Sequence, residues 1–227
     1  MRTLPEQPAR LDRKSRISQF FLEKVAPTRF LPASGKYNLT ISHEKHFLWY
    51  RVAKVGTRTI LYHFKAQNVS LDVEHASSMR YIPKLYAEYF KVAFVRNPWD
   101  RLVSCWADKV LDGKGAVFQF RESDIAPMNQ FEHFVEFVSG LDLKTCDRHL
   151  RLQCELIDLN NVDYLGHLET FTEDFVSICN HLDIKCEEIT ARNVSKHKPY
   201  PDYYTDKLRD KVFQMYRKDV QMFGYEF

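Results

Sequence analysis

Two basic segments about forty residues apart carry the side chains best suited to chemistry: Lys54-Val55-Gly56-Thr57-Arg58-Thr59 and Arg96-Asn97-Pro98-Trp99-Asp100-Arg101-Leu102-Val103-Ser104. Each follows an apolar, strand-like run and opens a helical pattern, so each can aim backbone N–H groups at an anion. In the first, Gly56 removes the Cβ that would keep a phosphate from the main chain. Lys54 adds a point charge, Thr57 and Thr59 add hydroxyl donors, and Arg58 adds a planar fork. In the second, Arg96 stands at a strand end, Pro98 takes the first helical position behind the cap residue Asn97, and Ser104 lies on that helix. Taken in order, the two segments describe a nucleotide gripped through phosphates at both ends. The first loop lacks the G-x-x-x-x-G-K-[ST] pattern, which disfavours an ordinary ATP or GTP loop. The plainer reading makes the first a basic turn and the second a salt-bridged arginine with a small packing serine.

The elements that must position these residues follow from periodicity. Strands are expected near 46–53, 69–73, 91–95 and 162–168, and helices near 14–25, 58–67, 77–89, 131–139 and 147–156, with another starting at Pro98. On that last helix Leu102, Val103, Trp106 and Val110 should pack inward, while Arg101, Ser104 and Asp108 share a polar face, which places Ser104 on an accessible side. Residues 112–129 read as a loop beside the cleft. Thr170-Phe171-Thr172-Glu173 is a capping-box pattern for a helix reaching His181, and Leu208, Val212, Met215, Val220 and Phe223 mark a long terminal helix. Alternating strands and helices imply an α/β fold, a single P-loop-like domain with a central parallel sheet flanked by helices. Residues 1–40 form an N-terminal extension and 41–227 the domain.

At 227 residues with 44% hydrophobic content the chain can bury one large core. With 33 basic against 30 acidic residues there is no nucleic-acid footprint, and local sites must carry any anion binding. Five scattered cysteines without a Cys-x-x-Cys pair fit free thiols in a reducing compartment, so no zinc site or disulfide framework is expected. The apolar cluster at 17–25 is too short and interrupted for a signal core or membrane span, and the chain reads as soluble and cytoplasmic.

At the two anion segments the chain resembles the 3′-phosphoadenosine 5′-phosphosulfate-dependent sulfotransferases, especially the branch of carbohydrate sulfotransferases and their soluble bacterial relatives. The resemblance runs from about His46 to Phe227 and includes Val162-Asp163-Tyr164-Leu165-Gly166-His167-Leu168-Glu169 and the terminal stretch from Lys218. It implies that Lys54, Val55, Gly56, Thr57, Arg58 and Thr59 hold the 5′-phosphosulfate, that Arg96 and Ser104 hold the 3′-phosphate, and that Ser195 and Lys196 add contacts. Arg58-Thr59 departs from many relatives.

Sulfuryl transfer of this kind needs an acceptor oxygen in line with the leaving phosphate, a cation at that phosphate and a proton sink. Lys54 is the expected leaving-group stabiliser, and no metal is required. His75, between the two segments, is the leading base, in the region where some related enzymes carry a catalytic histidine. Glu74 is the other base considered, His149 is a candidate for acceptor or cofactor contact, and Glu169 is a candidate for acceptor contact. The acceptor implied is a hydroxyl of a carbohydrate or other small molecule. Two other readings stay open: a P-loop-type nucleotide kinase or ATPase, and an inactive nucleotide-binding module.

Overall fold

The apolar run at 47–50 and the run at 90–95, apolar but for Lys91, suit strands covered on both faces, and these become the centre of a five-stranded sheet. The computed structural model describes residues 35–113, 116–118, 120, 122–186 and 198–227. Its strands are β1 (Gly35–Ser42), β2 (Phe47–Tyr50), β3 (Val73–Tyr81), β4 (Phe90–Val95) and β5 (Tyr164–His167). The sheet order is β3-β1-β2-β4-β5. β2, β4 and β5 are parallel, with Tyr50 opposite Ala93 and Val95 opposite His167. β1 pairs antiparallel with both β2 and β3. The α/β reading with a parallel core therefore stands, extended by an antiparallel wing.

Six α-helices accompany the sheet among the described residues: α1 (Thr57–Ala66), α2 (Pro98–Trp106), α3 (Glu122–Met128), α4 (Phe131–Ser139), α5 (Phe171–His181) and α6 (Asp206–Phe223). Ring contacts sort most of them into two groups. Phe64 of α1 meets Phe47 of β2 and Phe175 of α5. Trp99 and Trp106 of α2 meet Phe213 of α6 and Phe131 of α4.

Several local expectations differ from the structure. Residues 77–89 are not helical: they continue β3 to Tyr81 and then form a 3-10 turn at Pro83–Tyr86, because β1 pairs with this segment from Gly35↔Tyr81 to Ile41↔Val73. Residues 147–156 are turns with a short 3-10 segment at Gln153–Glu155. The stretch expected as a loop at 112–129 contains α3. Thr170 does cap α5, but its hydroxyl donates to Asp174 rather than accepting from the helix N–H groups. β1 starts at Gly35 and crosses the boundary drawn at residue 40. The helix expected at 14–25 lies outside the described residues, as do Ser195 and Lys196.

Candidate anion-binding and transfer site

The three parallel strands all end on one edge, and their following loops, 51–56, 96–97 and 168–170, gather there, where open α/β sheets bind ligands. The first loop bends sharply. Lys54 has φ +72° and Gly56, the residue before α1, has φ +79°. A Cβ at Gly56 would meet Leu168 and Phe171 only at ordinary contact, 3.4 and 3.5 Å, so conformation rather than space calls for glycine there. Gly56 brings no side chain to cap α1, and the first turn carries no acidic residue. The leading N–H groups of this ten-residue helix thus face the loop as anion donors.

Arg96 ties the second loop to the first. Its Nη1 donates to the Lys54 carbonyl at 3.1 Å and its Nε to Asp100 Oδ2 at 2.8 Å. Asn97 caps α2 by accepting from Trp99 N–H, as its position foretold. Behind Arg96, Gln153 accepts from its N–H and donates to its carbonyl, and the N–H groups of Gln153 and Cys154 both donate to Asp219 of α6.

Ser104 departs from expectation. It is 2% exposed, because α2 packs against α4, α6, the Tyr200–Tyr203 turn and the turns around 150. Arg101, placed on the same polar face, is equally buried and donates to the carbonyls of Ala53, Arg151 and Arg148. It pins the Lys54 loop and the 148–151 turn to one helix. Asp108 also turns inward. A π-helical turn, Ala107–Asp112, continues α2 and brings Asp108 Oδ2 to 2.7 Å from Lys54 Nζ, with Lys109 Nζ at 3.2 Å on the same oxygen. Burial pulls the Lys54 ammonium below its ordinary range and Asp108 opposes that pull.

His149 is linked to this group through the charge of Lys109. Its Nδ1 donates to Asp147 Oδ1 at 2.7 Å, the same oxygen that accepts its backbone N–H, so Nε2 keeps the ring's lone pair. The side chain is 13% exposed. Burial lowers its pKa below the usual imidazole value, Asp147 opposes, and the charge on Lys109 adds to the lowering. Next to it, Arg148 acts on Arg51, whose pKa is lowered to about 10 by burial first and by that like charge second.

His75 has a different setting. It lies on β3 with its side chain 57% exposed, accepts at Nδ1 from Arg51 at 3.1 Å and sits 3.0 Å from Glu74 Oε1 through Nε2. Both ring nitrogens are engaged. Both oxygens of Glu169 are engaged as well, accepting from Asn97 N–H at 2.7 Å and from the Tyr225 hydroxyl at 3.2 Å. Arg58 is exposed on α1, Thr59 is buried, Val55 is core, and the Thr57 hydroxyl donates to the Val52 carbonyl. The structure therefore joins Lys54, Gly56, Thr57 and Arg96 at one edge. It adds Asp108, Lys109, Asp147, Arg101 and Gln153, which the sequence reading did not assign. Only Asp147-x-His149 had a local signal, an aspartate two residues before a histidine.

Comparison with known proteins bears on the family of the chain. The chain is 26% identical over 170 residues to Carbohydrate sulfotransferase 10 of Xenopus laevis, an alignment covering 61% of this chain and 48% of the relative. It thus spans about half the length of that protein. No solved structure matches. The sequence model described as Sulfotransferase family matches residues 37–226, nearly the whole described domain, and the chain belongs to that family.

Proposed function

We propose that this protein transfers a sulfuryl group from 3′-phosphoadenosine 5′-phosphosulfate to a hydroxyl of a carbohydrate acceptor. The observation that carries the reading is the junction of the two anion segments: Arg96 donates to the Lys54 carbonyl, so one bound nucleotide can span both. The donor set fits such a group. It combines an αL glycine at a helix start, no acidic side chain in the first turn, a partly buried lysine and an arginine. Lys54, Gly56, Thr57 and the leading N–H groups of α1 would hold the 5′-phosphosulfate, and Arg96 the 3′-phosphate, with Ser104 buried behind it. Bound there, the nucleotide would supply an activated sulfuryl group.

Lys54 concentrates positive charge where the leaving phosphate gains negative charge, and Asp108 orients it. His149 accepts the acceptor hydroxyl's proton at Nε2, while Asp147 fixes the tautomer and ring plane. His149 suits this role better than His75, whose lone pair already receives a hydrogen bond from Arg51. The likeness to Carbohydrate sulfotransferase 10 supports a carbohydrate acceptor. All five cysteines are free thiols, which supports a reducing, cytoplasmic setting. No described helix is long and apolar enough to cross a membrane.

A turnover assay with the labelled sulfuryl donor and a panel of oligosaccharides tests the roles. Lys54→Ala and His149→Ala should each lose about 100-fold or more in kcat, whereas His75→Ala should stay within a few-fold of wild type. Full activity in His149→Ala with loss in His75→Ala would reverse the base assignment. Full activity in Lys54→Ala would remove that residue from the mechanism.

A further inference from the structure

The sequence offers no metal-binding spacing, yet the fold assembles one away from the anion loops. After α5 the chain reverses through Asp183, at φ +51°, and Ile184 N–H returns to the Cys179 carbonyl at 2.9 Å. That turn carries Cys186 back beside Cys179. His63 of α1 closes the group: one ring nitrogen and the two Sγ atoms all lie within 4.8 Å of one another. His63 and Cys179 are buried and Cys186 is partly exposed, which leaves one side open.

A second observation concerns the imidazole. His63 Nε2 lies 3.1 Å from the Lys185 carbonyl, and a carbonyl can only accept, so Nε2 carries the proton and Nδ1 holds the lone pair. Metal-bound histidines are oriented in this way, with the far N–H donated to a carbonyl or carboxylate. The Phe175 ring, edge-on at 5.1 Å, restricts the imidazole further.

We propose that His63, Cys179 and Cys186 form a zinc site of Cys2His composition, with water as the fourth ligand at the open side. Two thiolates and an imidazole select a thiophilic cation over magnesium or calcium. Both thiols lose their protons on binding, and no electron transfer is involved. The ion cross-links α1, the helix that the Lys54 loop leads into, to the segment following α5. The site is independent of the sulfuryl-transfer reading.

The test uses the full chain, reduced and stripped of metal, titrated with Co2+ as a spectroscopic probe and then with Zn2+. The proposal expects one Co2+ per chain with a thiolate-to-cobalt charge-transfer band, displaced by Zn2+, and a higher Tm in the zinc-loaded protein. The band should vanish in Cys186→Ser, a partly exposed position that should still fold, and in His63→Ala, but persist in Cys146→Ser. Absence of the band in folded wild type, its persistence in Cys186→Ser, or a Cys179–Cys186 disulfide that survives mild reduction would overturn the site.

Discussion

The Asp147–His149 pair gives the residue scale its clearest consequence. Burial disfavours the imidazolium, and Asp147 only partly offsets this, so His149 titrates below the ordinary value of about 6.5. A base works only when unprotonated. Activity should therefore hold as pH falls through 6.5 and decline at lower pH, as His149 takes up a proton. The acid limb of kcat against pH measures this, and a limb above 6.5 would point to another base. His149 was visible in the sequence only as a contact candidate, since its orientation depends on Arg101 holding the carbonyls of Arg148 and Arg151 from fifty residues away. The same long-range bonds buried Arg101 and Ser104, which helical spacing alone had assigned to an accessible face.

At the level of elements, the two strand-loop-helix junctions were legible because each is built from adjacent residues: buried strand, turn residue, helix start. β3 and the 147–156 turns were not. Val73–Tyr81 owes its extended form to pairing with β1, a partner some forty residues earlier. The 153–155 segment owes its shape to the Asp219 carboxylate, which accepts its N–H groups. Local pattern holds neither fact. Where local chemistry does decide, its effect is testable. Gly56→Ala would force a side-chain-bearing residue to φ +79° and should cost about 1–2 kcal/mol in denaturant unfolding. Nucleotide affinity should weaken alongside, because the same backbone twist aims the donors of α1. An unchanged midpoint would mean that the turn relaxes freely.

Across the whole molecule, the C-terminal helix and the anion edge form one connected system. Asp219 of α6 is fully buried and accepts two backbone N–H groups. One of them belongs to Gln153, whose side chain brackets the backbone of Arg96. Asn97 donates to the Glu226 carbonyl, and Glu169 joins Asn97 to Tyr225. These bonds tie the terminal stretch, which lies within the family match, to the anion edge. Asp219→Ala leaves two buried donors without an acceptor and should destabilise the fold by about 2–5 kcal/mol. It should also weaken nucleotide binding more than turnover per bound nucleotide. Thermal unfolding with calorimetric titration checks both, and a variant as stable as wild type would dissolve the proposed connection.

The central claim is that one nucleotide bridges the Lys54 and Arg96 loops, and calorimetric titration of the wild-type protein addresses it directly. The ligands are 3′-phosphoadenosine 5′-phosphate, adenosine 5′-phosphate and ATP, all without magnesium. The account predicts that the 3′,5′-bisphosphate binds at least about 10-fold more tightly than adenosine 5′-phosphate, through a charge-assisted contact that only its 3′-phosphate can make. Equal affinity for the two, or a preference for ATP, would contradict it.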